Sequence, residues 1–259
     1  MTQWGVVILA GGLVKDPLAS ALGTPQKALA KFGGRSSLER TIESVRDAGI
    51  TQIVVVGCEC DLQISGNMPD HGTAAKNAVA GARALAEFGV SRLLILPADQ
   101  PLMTGAAIRD FVDRLDSRTI LGEFYAAGLA RLTDFRKMYP TATATPIRLR
   151  DGAFLSGGLF AGTLEAIFSC ENLVAEFRKS RKSQIKMVAR VGLDVLIRFV
   201  FRRVTLAEAE SRLERLMRHQ CILISDCHPS TVLDFDNIQE YEEIKVIFNQ
   251  MVSASSQST

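Results

Sequence analysis

The chain has 259 residues, of which 47% are hydrophobic and 22% charged, with a formal net charge of +2. That profile excludes a disordered chain, and the near balance of charge argues against a nucleic-acid-binding protein. No apolar run reaches the roughly 18 residues needed to cross a bilayer. Val6–Ala10 is too short for a secretion signal and reads as a strand, so the five irregularly spaced cysteines are expected to be reduced thiols in a cytoplasm.

The first hundred residues alternate between short apolar runs and helical patterns. Gly5–Leu9 reads as a strand buried on both faces, followed by a glycine-rich loop. Ser36-Ser37-Leu38-Glu39 forms a capping box that opens a helix through Ala48, stopped by Gly49. Gln52–Val56 is a second buried strand. Thr73 caps a helix running to about Phe88, Arg92–Leu96 is a third strand, and Thr104 starts a helix to about Leu115. This order predicts an α/β, Rossmann-like three-layer fold around a mostly parallel, doubly wound sheet. Further on, Glu123–Leu129, Thr145–Leu149 and Gly157–Phe160 read as strands, the last as one whose backbone approaches another group closely. Asn172–Arg218 is helical in pattern, with a second capping box at Thr205-x-x-Glu208. Cys221–Ile224 and Thr231–Phe235 read as strands, Ile238–Gln250 as an amphipathic helix, and Ser253–Thr259 as a disordered tail. With no linker or repeat, residues 1–252 are expected to be one domain carrying a helical insertion at about 172–218.

Leu9-Ala10-Gly11-Gly12 leaves the first strand, at the edge where open parallel sheets bind ligands. Two glycines there let backbone N–H groups approach phosphate oxygens, and Lys27, within Pro25-Gln26-Lys27-Ala28-Leu29, can neutralise phosphate charge. The pair is neither a Walker A loop nor a dinucleotide fingerprint. Asp99, in Pro97-Ala98-Asp99-Gln100-Pro101, stands at the end of the third strand, where it suits Mg²⁺ or the cap of a turn.

Together, the LAGG strand end, the loop and the Lys-Ala-Leu segment resemble the nucleotidyltransferases of the molybdenum-cofactor guanylyltransferase type, the MobA-like NTP transferases. One extra residue, Gln26, stands in the lysine motif. The usual loop arginine is missing, and Lys15 is the nearest substitute. A long-chain bacterial branch also carries Asp151-Gly152-Ala153-Phe154-Leu155-Ser156-Gly157-Gly158 and Arg181-Lys182-Ser183, with asparagine where this chain has Leu159.

The resemblance implies a Mg²⁺-dependent enzyme that joins an NMP from an NTP to a phosphorylated small-molecule acceptor and releases pyrophosphate. It favours GTP or CTP without fixing the base. It assigns Leu9, Ala10, Gly11, Gly12 and Lys27 to the NTP, and Lys27 and Asp99 to catalysis. Asp99 and Asp236 of Asp234-Phe235-Asp236-Asn237 would hold the metal, with Asp234 behind; helix capping by Asp236 or Asn237 is the competing reading. Gly72 and Asn77 would meet base and ribose, although Thr73 could equally be an ordinary cap. Arg181 and Lys182, in a basic stretch from Arg178 to Arg203, fit an anionic acceptor, a solvated face or a membrane-surface helix. The insertion could also serve a homo-oligomer contact. A zinc site and a hydrolase triad find no support in the spacing of Cys58, Cys60, Cys221, Cys227, His71, His219 and His228. The alternatives are a nucleotide-binding relative without catalysis and a nucleotide-sugar-dependent glycosyltransferase.

Overall fold

The computed structural model of the chain describes residues 3–169 and 204–256. Arg181, Lys182 and most of the expected insertion lie outside the described residues. In chain order the elements are β1 (Trp4–Leu9), α1 (Leu18–Leu22), a 3-10 turn (Lys27–Leu29), β2 (Lys31–Phe32), β3 (Arg35–Ser36), α2 (Ser37–Asp47), β4 (Gln52–Val56), β5 (Gly66–Met68) and α3 (Ala74–Ala86). There follow β6 (Arg92–Pro97), α4 (Gly105–Asp116), β7 (Phe124–Arg131), α5 (Leu132–Met138), β8 (Ile147–Leu149), β9 (Gly152–Thr163) and α6 (Leu164–Ser169). Beyond residue 203 come α7 (Leu206–Met217), β10 (Gln220–Ile224), a 3-10 turn (Pro229–Thr231) and α8 (Ile238–Ser256).

The helices start where their caps place them. Ser36 and Thr205 form complete capping boxes with Glu39 and Glu208, and Thr73 and Thr104 each accept an N–H from the first turn. Each such cap contributes about 1 kcal/mol.

The eight-stranded sheet has the order β10-β7-β9-β6-β1-β4-β5, with β8 beside β9. β1 runs parallel to β4 and β6, β4 to β5, and β7 to β10, whereas β9 is antiparallel to both β6 and β7. The sheet is thus mostly parallel, with β9 the reversed strand at its centre. Because β9 opposes both neighbours, β6 and β7 point the same way. The carboxyl ends of β1, β4, β6, β7 and β10 therefore share one edge.

Alternation along the strands makes three layers. Val6 and Ile8 of β1, with Val55 and Leu94, pack under Leu38, Ile42, Ile108 and Phe111 of α2 and α4. Val7, Val54, Val56 and Leu93 pack on the other face under Val79, Ala82 and Leu85 of α3 and Ile167 of α6. Burying each such side chain contributes roughly 1.5–3 kcal/mol, which is why these strands read as continuous apolar runs.

A separate cluster sits beyond the site edge: Phe32, Leu102, Phe135, Leu155, Leu233, Phe235, Tyr241, Ile244 and Phe248. Phe32 is its hub, with ring centroids 5.8, 5.6 and 6.1 Å from Phe235, Tyr241 and Phe248. The expected strand at Thr231–Phe235 is absent. Its alternation arises because Leu233 and Phe235 anchor an irregular segment in this cluster, with no neighbouring strand to pair it. α8 also runs past the expected end at Gln250, to Ser256.

Candidate functional site

Four strand ends, those of β6, β1, β4 and β5, are laced together at the edge. Ala98 N–H donates to Leu9 O at 3.0 Å, Ala10 N–H to Val56 O at 2.8 Å, and Gly57 N–H to Met68 O at 2.9 Å. β1 lies between β4 and β6, so the chain crosses to opposite sides of it here, and the crevice opens at its carboxyl end. Gly57 crosses directly over Gly11: a Cβ on Gly57 would lie 2.5 Å from both Gly11 N and Gly11 Cα, and the Gly57 φ of +100° also disfavours a side chain. Gln26 bolts this crossing, its Nε2 donating to Ala10 O at 3.2 Å and Gly57 O at 2.6 Å. The extra residue in the lysine motif is therefore a brace. Among the described residues no hydrogen bond uses the N–H of Gly11 or Gly12.

The 3-10 turn after Gln26 fixes Lys27, whose N–H donates to Gly12 O at 3.0 Å. Its side chain is buried, and Nζ lies 2.5 Å from Asp99 Oδ2 and 2.8 Å from Asp236 Oδ1. Nζ also sits 5.2 Å from the centroid of the Phe235 ring. Burial is the largest influence on the ammonium and lowers its pKa. The charges and hydrogen bonds of Asp99 and Asp236 more than offset it, so the net shift is upward.

Asp99 and Asp236 are 137 positions apart in sequence and meet through Lys27 because Phe235 is fully buried in the aromatic cluster. Asn237 caps the helix that follows, its Oδ1 accepting the Glu240 N–H at 3.0 Å, while Asp236 Oδ1 accepts from Lys27 Nζ. Asp234 keeps an edge open to solvent but is crowded by protein. Its carboxyl is pushed up to about 6, first by burial and then by Asp99 and Asp236, against the pull of Lys27.

Asn77 is buried and spends its amide within the protein: Oδ1 accepts the His71 N–H and Nδ2 donates to Asp70 Oδ1, each at 2.8 Å. Gly72 N–H donates to the same Asp70 oxygen at 3.0 Å. Asn77 thus holds the 70–72 loop against Gly11, where a Cβ would lie 2.8 Å from Asp70 Oδ1. Lys15 lies exposed in the loop before α1.

The glycine pair of β9 is explained by close approach. A Cβ on Gly157 would meet Thr231 O at 2.6 Å, and one on Gly158 would meet Gln100 Oε1 at 2.1 Å. The pair lets β9 lie against the loop that follows Asp99. Leu159 points into the main core, and Asp151 Oδ2 accepts the Leu206 N–H at 2.5 Å. This segment therefore builds the wall of the site.

Burial raises the Cys221 and Cys227 thiols to about 12 and about 11, with Glu214 and Glu210 adding to the first. His219 does have a serine partner that spacing did not reveal: its Nε2 is 2.9 Å from Ser169 Oγ. That hydroxyl donates to Ala166 O at 2.8 Å, so its proton is committed elsewhere. Among the described residues no group of three or more His, Cys, Asp or Glu side chains is arranged to hold a metal, and no helix is long and apolar enough to cross a membrane.

Residues 6–130 match the family described as the MobA-like NTP transferase domain. A hypothetical transferase from Thermus thermophilus is similar along nearly the whole length, with 25% identity over 93% of this chain and 99% of that one and a TM-score of 0.80. The 2-C-methyl-D-erythritol 4-phosphate cytidylyltransferase of Francisella tularensis shares the fold at 13% identity, covering 95% of this chain and 100% of that one, with a TM-score of 0.56. A nucleotidyl transferase from Methanothermobacter shares it at 14% identity, over 97% and 100% of the two chains, with a TM-score of 0.54. Among curated proteins none matches the chain significantly.

Proposed function

From the premise that residues 6–130 form a MobA-like NTP transferase domain, we propose that the chain transfers an NMP from an NTP to a phosphorylated small molecule. The observation that carries this reading is the Lys27 ammonium held between Asp99 and Asp236, on a side chain whose stem passes Gly12.

The residues present suit a magnesium nucleotide. Mg²⁺ is held by one or two carboxylates together with substrate phosphates, and Asp99 and Asp236 already grip a cation between them. Bound there, the metal would neutralise charge on the α-phosphate. The amides of Gly11 and Gly12 would receive phosphate oxygens, and Lys27 would follow the charge that builds as pyrophosphate leaves. An oxygen of the acceptor phosphate would attack the α-phosphorus in line as the bond to the bridging oxygen of pyrophosphate breaks. Positioning and electrostatics suffice for such a step, and no protein nucleophile is needed. The family resemblance favours GTP or CTP as the donor.

Pyrophosphate release measured with each of the four NTPs, with and without Mg²⁺, against a panel of sugar, polyol and pterin phosphates tests the proposal. Release is expected with one donor, only with Mg²⁺, and is lost in Asp99→Ala. Release that survives Asp99→Ala would remove that residue from the reaction, and NTP binding without release for any acceptor would favour a non-catalytic nucleotide binder.

A further inference from the structure

Lys27 occupies the place between the two carboxylates that a divalent cation would take. Its Nζ contacts Asp99 Oδ2 and Asp236 Oδ1 at 2.5 and 2.8 Å, and the residue is only 7% exposed. Among the described residues no third His, Cys, Asp or Glu side chain is arranged with these two to hold a metal. Mg²⁺ demands near-octahedral oxygen coordination and gives up water reluctantly. A seat with two carboxylates, already filled by an ammonium, therefore offers free metal little.

We infer that Lys27 is the resident cation of the nucleotide-free protein, and that the divalent ion enters only together with the triphosphate. This rests on the reading that Asp99 and Asp236 hold the metal. The nucleotide brings both things the exchange requires: phosphate oxygens that complete the coordination shell, and negative charge that draws the ammonium off the carboxylates. The lysine is placed for such a move. Its main chain is pinned to Gly12 O, and its stem runs past Gly12, where a Cβ would touch Cδ at 3.6 Å. A side-chain rotation carries the ammonium from the carboxylates toward the glycine backbone. Every charge keeps a partner before and after, which avoids leaving the buried ammonium unpaired. Metal and nucleotide then bind with positive coupling, each raising the affinity for the other by the same factor.

Mn²⁺ alone is the probe, with free Mn²⁺ followed by electron paramagnetic resonance in the wild type, Lys27→Met, Lys27→Arg and Lys27→Met/Asp99→Asn. Lys27→Met is expected to bind Mn²⁺ about tenfold or more tightly than the wild type, a gain of about 1.4 kcal/mol or more. Lys27→Arg, which keeps the charge, should stay as weak as the wild type, and the added Asp99→Asn should cancel the gain. Thermal melts check folding: Lys27→Met should melt low without metal and recover with Mn²⁺, while the wild type barely responds. Equal or weaker Mn²⁺ binding in Lys27→Met would overturn the inference, as would the same gain in Lys27→Arg. If the wild type nevertheless releases pyrophosphate with Mg²⁺, the proposed reaction stands without it. Metal-independent release would instead overturn the reading on which the inference rests.

Discussion

Asp99, Asp234 and Asp236 lie at one edge but in different environments. Asp236 touches Lys27, whereas Asp234 makes no such contact and has its carboxyl raised to about 6. Asp236→Asn should therefore reduce turnover more than Asp234→Asn, and the reverse order would move the second metal ligand to Asp234. Because its folded-state pKa lies above the ordinary 3.8, Asp234 holds its proton more tightly in the native protein than in the unfolded chain. It therefore costs stability as pH rises from about 4 to about 6, and the cost is complete above that window. In metal-free buffer, Asp234→Asn should gain in Tm relative to the wild type as pH rises through that interval. A constant offset across it would contradict the environment described for Asp234. Some of this was legible in the sequence: the LAGG end, Lys27 and Asp99 follow from strand ends and residue type. The roles of Gln26 and Asn77 were not, because each is defined by partners on other segments: Ala10 and Gly57 for the first, Asp70 and His71 for the second.

Among the elements, the crossing of Gly11 and Gly57 and the segment after β10 carry the geometry. Gly57→Ala puts a Cβ 2.5 Å from the Gly11 backbone at a positive φ, a strain of at least about 2 kcal/mol. It should lower Tm and weaken NTP binding together, and a variant with unchanged binding would show that the crossing does not shape the phosphate loop. Phe235→Ala should cost roughly 3–5 kcal/mol by emptying a fully buried site, and should release Asp236 from Lys27. Phe235→Leu should restore much of the stability. The strands β1, β4 and β6 could be read from sequence because burial on both faces leaves an unbroken apolar run. Thr231–Phe235 could not, since an extended segment anchored by alternate side chains has the period of a strand without its hydrogen bonds. The hairpin of β2 and β3, two residues in each strand, is too short for any period to show.

For the whole molecule, the sheet supplies the edge and the C-terminal helix brings the second carboxylate to it. Tyr241, Ile244, Ile247 and Phe248 of α8 join the cluster that also holds Phe32 and Phe235, so α8 is packed against the segment following Lys27. The position of β9 was beyond the sequence pattern, because an apolar strand does not record its direction. Its glycine pair did announce close approach, and Thr231 and Gln100 are the groups that approach. The central claim is that Lys27, Asp99 and Asp236 form one magnesium-nucleotide centre. Its most direct test is the thermal stabilisation of wild type and Asp236→Asn by GTP, CTP, ATP and UTP, each with and without Mg²⁺. A ligand that binds only the native state at a hundredfold excess over Kd contributes about 2.7 kcal/mol. A Mg²⁺-dependent rise in Tm with one nucleotide, lost in Asp236→Asn, is the result expected. No rise with any nucleotide, or the same rise in the variant, would contradict the claim.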